Sequence, residues 1–223
     1  MDATINDRNL PDRYKIQLCK SSDSHFHVPR LDESTRALTT ISYEHHEIHG
    51  GRSFSAHFDS TTASSDDDVS AIGFKTAAGS RWLHLTFAAS ASNPAEAFIL
   101  EGPTYVASKG NHGTAYNRDR NSSNLPSIIS LGDDAPVAVT ANLFTTFIEA
   151  EWNLATIAAG TQIEHMVLAG GEGPKAVGGV GRGAQEWILK PDTVYIFALQ
   201  NIGASENLHE ISIDWYEHIN KEA

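Results

Sequence analysis

The chain has 223 residues, 40% hydrophobic and 20% charged, a balance that can bury a full core and is unlike that of a disordered segment. Its 16 basic and 28 acidic residues leave a formal charge of −12, and a surface of that sign repels phosphate backbones, which argues against nucleic acid as a partner. No apolar run approaches the roughly 18 residues that a membrane helix needs, and the polar opening "MDATINDRNLPDRYK" is unlike a signal or transit peptide, so no membrane partner is expected.

Residues 1–35 read as an extended N-terminal arm. They carry mixed charge at Arg8, Asp12, Arg13 and Lys15 and little apolar periodicity, so their order is expected to come from a partner surface. Cys19 is the sole cysteine; it cannot form an internal disulfide, which fits assembly in a reducing cytoplasm, and it reads as a partly buried thiol. "HFH", His25 to His27, is similar to the His-x-His of cupins, jelly rolls that bind metal through that pair and a glutamate. Here Glu33 follows at a longer gap, the preceding glycine is missing and no second box follows, so a cupin-like metal-binding enzyme is only an alternative.

"HHEIHGGRSF" opens the region that reads as the folded domain, residues 36–223. A zinc protease needs His-Glu-x-x-His on a helix, and the spacing from His46 to His49 is one residue short of that. Read as a strand, the segment puts His45, Glu47 and His49 on one face. It also separates His45 from His49 by ~13 Å, too far to share one ion. These three are the metal candidates of the chain, and the expectation is no tightly bound transition metal and no cofactor. Gly50 and Gly51 read as a kink that ends the strand.

Strands then follow in quick succession. "RSFSAHF" places Phe54, Ala56 and Phe58 on one face, and "RWLHLTFAA" sets Leu83, Leu85 and Phe87 against Trp82, His84 and Thr86. "AFILEG", "SIISL", "TFIEAEW", "QIEHMVLA", "EWILK" and "TVYIFAL" are further strands, and "LHEISIDWYEH" puts Ile211, Ile213 and Trp215 on one face. Turn chemistry separates them at "SSDDD", "AAGS", "SNPAE", "SKGNHG", "LGDDAP" and "GGEGPKAVGGVGRG". "PVAVTANLFTTF" is the best helical candidate, although its threonines and valines argue nearly as well for a strand. Asp66 to Asp68 lack the alternate spacing of a calcium loop, and the glycine-rich run cannot open the helix that a dinucleotide site requires. In "EWILKPDTVYIF", Pro191 presets a turn, and Tyr195 stands where the corner crossing of sandwich folds uses a tyrosine hydroxyl to bond backbone. The pattern as a whole is all-β: an antiparallel β-sandwich or jelly roll.

"TAYNRDRNSSN", residues 114–124, supplies guanidinium forks and amides that fasten loops to carbonyls and carboxylates. Arg118, Arg120, Asn117 and Asn121 are therefore read as a loop clamp or an intersubunit clamp, with Arg118 and Arg120 sharing one face. Trp82, Trp152, Trp187 and Trp215 are the candidates for a carbohydrate-binding platform, although their strand context makes most of them look like core. No catalytic residues stand out.

Three segments in this order, "ISYEHHEIHGGRSF", "AYNRDRNSSN" and "ILKPDTVYIFALQN…ISIDWYEH", resemble a family of bacteriophage virion structural proteins. The resemblance runs from about residue 36 to the C-terminus. It implies a non-enzymatic β-sandwich component of a tailed phage particle, a head decoration (cement) protein with the major capsid protein or another virion protein as partner. It further implies a homotrimer assembled in the host cytoplasm and located in the virion. A tail or receptor-binding component is the alternative within the same class.

Overall fold

A computed structural model describes residues 19–20, 26–27, 42–59, 69–104, 111–130, 137–138, 143–149, 160–169, 186–203 and 206–219. The chain divides into two compact units, Met1–Ser42 with Lys221–Ala223 and Tyr43–Asn220. In the first, β1 (Cys19–Lys20) pairs antiparallel with β2 (Phe26–His27). His25 and Glu33, the remaining members of the cupin-like set, lie outside the described residues, as do the Asp66–Asp68 turn, the 170–183 glycine run and Trp152.

Among its described residues the second unit is mostly strand, with one short helix. In chain order it contains α1 (Tyr43–His49), β3 (Ser53–Asp59), β4 (Val69–Lys75), β5 (Arg81–Ala91), β6 (Ala95–Glu101), β7 (Asn111–Thr114) and β8 (Tyr116–Asn117). It continues through β9 (Ile129–Ser130), β10 (Val137–Ala138), β11 (Leu143–Glu149), β12 (Thr161–Leu168), β13 (Trp187–Leu189), β14 (Val194–Asn201) and β15 (His209–Ile219). One sheet has the order β13-β5-β15-β3-β8. The other runs β10-β9-β4-β14-β6-β12, with β11 joined to β4 and β7. Every pairing within them is antiparallel. The antiparallel sandwich read from the sequence is therefore the architecture found, whereas this strand order does not establish a jelly roll.

The long pair β5 and β15 shows why the two sheets stack. Leu83, Leu85, Phe87 and Ala89 alternate inward on β5, and Ile211, Ile213 and Trp215 do so on β15 in register with them. They meet Ile72 and Phe74 of β4, Ile99 of β6 and Phe197 of β14 in one continuous core. Trp215 anchors it, with its ring centroid 5.6 Å from Phe54 and 6.1 Å from Phe74 across the sandwich. Strands β4, β6 and β14 are buried on both faces: Val69, Ala71, Phe98, Leu100, Ile196 and Ala198 form a second cluster on the side away from that core.

Three segments differ from the sequence reading. "YEHHEIH" is a helix rather than a strand, because its C-terminus is a complete glycine-terminated cap. The Arg52 N–H donates to the Glu47 carbonyl and the Gly51 N–H to the Ile48 carbonyl, with Gly51 in the left-handed region at φ 64°. Ser42 stands at the N-cap position and Glu44 in the first turn, both favourable there. The run "SKGNHG", expected as a turn, already enters β7 at Asn111. The candidate helix "PVAVTANLFTTF" resolves as strand, contributing Val137–Ala138 and most of β11.

The corner at Pro191 forms as expected. The Lys190 N–H donates to the Tyr195 hydroxyl at 2.9 Å, and that hydroxyl donates to Glu101 at 2.8 Å. Asp192 takes a φ of 52° in the turn and pairs with Lys75.

Candidate functional site

The loop after β8 is fastened chiefly by Asn117. Its buried side chain donates to the Gly51 carbonyl at 2.9 Å and the Asn124 carbonyl at 3.1 Å, and accepts the Asp119 N–H at 2.9 Å. One amide thus ties the end of α1 to both ends of the 117–124 loop. Gly51 is required on its side of this joint, because a Cβ there would overlap the Ser122 hydroxyl. The Asn121 N–H donates to the Asp119 carboxylate, so Asn121 contributes through its backbone.

Arg118 and Arg120 do not share an extended face, since both lie in the turn that follows β8. Arg118 donates to Glu44 of α1 at 2.6 Å and, more distantly, to the Ser53 hydroxyl. Arg120 donates to the Asn117 carbonyl and lies 5.7 Å over the Tyr116 ring. Arg118 remains one-third exposed and Glu44 one-half, so this pair is a surface fastening rather than a buried ion pair. Asp214 lies within reach of the same charges. Burial pushes its carboxyl above the ordinary value, Arg118 opposes that and Glu44 adds to it.

The outward face of the five-stranded sheet carries a second group. Pairing of β5 with β15 sets Trp82 opposite His218 and His84 opposite Tyr216, and β13 brings Ile188 beside His84. The His84 ring stacks on Tyr216 at 4.6 Å and lies 4.7 Å from His218, while Trp82 meets His218 edge-on at 6.0 Å. Trp82 is 40% exposed and Ile188 55%, so a strand-held aromatic and apolar patch faces outward here. Trp215 is core and Trp187 half-buried, which leaves Trp82 as the exposed member among the described tryptophans.

A hydrogen-bond chain runs through this patch. The His84 Nδ1 lies 3.0 Å from the Glu186 carboxylate, and its Nε2 lies 2.7 Å from the His218 Nε2. The Tyr216 hydroxyl lies 3.1 Å from the same Nδ1. Burial holds the His84 imidazole below its ordinary value, His218 adds to that and Glu186 opposes it.

Sequence reasoning overlooked a second asparagine joint. Asn207, fully buried, accepts from the Asn93 N–H and the Ser92 hydroxyl and donates to the carbonyls of Asn93 and Pro94 and to Asn201. It stitches the β5–β6 turn to the segment between β14 and β15. Glu217 is also buried, and accepts the Ser127 N–H at 2.8 Å and the Trp215 indole N–H at 3.3 Å. Neither residue has a local sequence signature, since each also bonds partners some 90 or more residues away, Ser127 for Glu217 and Ser92 to Pro94 for Asn207.

The helical form of the "HHEIH" segment regroups the expected metal candidates. His45 and His49 now face each other with their Nε2 atoms 3.0 Å apart, whereas Glu47 turns inward, 4% exposed, beside His46. Among the described residues, no group of three or more histidine, cysteine or acidic side chains is placed to hold an ion. Comparison with protein-family models, with curated proteins and with solved structures finds no match to this chain.

Proposed function

We propose that this chain is a non-enzymatic structural protein of a tailed phage particle, a decoration or cement protein that binds the head and stabilises it. The observation that carries the reading is the outward patch of Trp82, His84, Ile188, Tyr216 and His218 on the five-stranded sheet. Aromatic side chains on a rigid sheet have the composition of a protein-interface core and little rotamer freedom left to lose on docking. A sandwich braced by internal joints at Asn117, Tyr195 and Asn207 suits a part whose task is to hold shape on a surface. The three segments that resemble phage virion proteins point the same way, and with them come the jelly-roll topology, the trimer and the major capsid protein as partner. The exposed Trp82 also fits a receptor-binding component of the tail, stacked on a host glycan.

The test is sedimentation of the full chain with empty phage heads. The parent is expected to pellet with heads, and Trp82→Ala combined with Ile188→Ser to weaken binding by roughly tenfold or more, as loss of a central anchor does. A parent that stays in the supernatant overturns the reading. Retention on host glycan with no head binding would favour the tail component.

A further inference from the structure

The geometry points to a metal-binding site on α1: we propose that His45 and His49 together chelate a borderline divalent transition metal through their Nε2 atoms. This goes beyond the structural role above and does not depend on it.

The strand reading separated these two rings, and the helix brings them together, because residues four apart lie one above the other on the same face. Two nitrogens bound about 2.1 Å from one ion at right angles stand about 3.0 Å apart, whereas a tetrahedral angle would open the gap to about 3.4 Å. The observed separation is 3.0 Å. The ring centroids give a second check. With both rings pointing straight at such an ion, the centroids would be about 4.6 Å apart, and the observed value is 4.7 Å. The two rings are nearly perpendicular, at 76°.

The ordinary affinity order places Cu2+ above both Ni2+ and Zn2+ for a pair of imidazole nitrogens. Glu47 is turned away beside His46, and Glu44 is engaged by Arg118. Among the described residues the site therefore offers these two nitrogens, and water or a further donor would complete the coordination. Because the imidazoles bind only when neutral, the ion competes with protons. It also ties the third residue of the seven-residue helix to its last, so binding and order of the final turn reinforce each other.

Calorimetric titration of the full chain with Cu2+ and with Ni2+ near pH 7.5 tests this. The expected result is one ion per chain at this site, with Cu2+ tighter than either Ni2+ or Zn2+. His45→Ala and His49→Ala should each lower the affinity by about a hundredfold, because the second ligand of a rigid pair binds at a high effective concentration. His46→Ala, on the same helix but beside Glu47, should bind as the parent does. Cu2+ electron paramagnetic resonance gives an independent readout: coupling to two equivalent nitrogens in the parent and to one in either variant. Melting temperatures of the metal-free variants equal to the parent's would show that the fold is intact. Parent-like affinity in His49→Ala, or a parent spectrum with a single nitrogen, overturns the proposal.

Discussion

Replacing Asn117 by alanine should loosen the joint between α1 and the 117–124 loop more than any arginine substitution there. The side chain is 4% exposed and makes three hydrogen bonds, to the Gly51 and Asn124 carbonyls and from the Asp119 N–H. At a net ~0.5–1.5 kcal/mol per neutral bond, the loss comes to about 2–4 kcal/mol. For a chain of this size each kcal/mol moves Tm by about 2–4 °C, so Asn117→Ala should melt roughly 5–15 °C below the parent. Asn117→Asp should be worse, since it keeps the acceptor for Asp119 but turns a carboxylate toward two carbonyls. Thermal unfolding followed by circular dichroism reads the shift, and hydrogen exchange should show faster opening confined to residues near 117–124. A variant that melts within a degree or so of the parent would refute the reasoning.

Arg118→Ala should cost less than about 1 kcal/mol, as exposed ion pairs do. It should nonetheless drive the Asp214 carboxyl further above its usual value, by removing the one opposing charge; carbonyl NMR of Asp214 in both proteins checks this. Since the folded value is raised, the stability tied to Asp214 falls as pH rises from the unfolded value near 3.8 through the folded one. His84 has the opposite sign. Its folded value is depressed, so the unfolded chain takes the proton first, and stability should fall as pH drops from about 6.5 through the folded value. Ring-proton NMR should place the His84 midpoint below 6.5, and a midpoint above it would contradict the packing argument. Tyr195→Phe should destabilise the Pro191 corner by about 1–3 kcal/mol, because the half-buried Lys190 N–H bond and the Glu101 bond are lost together; urea unfolding measures it.

Where one face is buried and the other wet, the sequence is easy to read: β5 and β15 alternate through their middles, β3 does so from Phe54 onward, and period alone assigns their inward residues. The Pro191–Tyr195 corner was legible because its spacing is local. Strand β4 was not, since "VSAIGFK" is covered on both sides and shows no alternation to find. The misreading of α1 came from taking Gly50-Gly51 as a kink; a glycine just beyond a short polar run is equally a helix stop. That one choice placed His45 and His49 on the wrong geometry. In the clamp segment the named side chains do not contribute equally. Charge drew attention to Arg118 and Arg120, whereas burial gives the larger role to Asn117, and burial depends on what packs over it.

Electron microscopy of the purified phage particle tests the structural role most directly. The account predicts density of this sandwich on the outer surface of the head, three copies around each three-fold position, with the Trp82–His218 face against the capsid lattice or a neighbouring copy. Density at the tail tip, or a particle that lacks the chain, would contradict it.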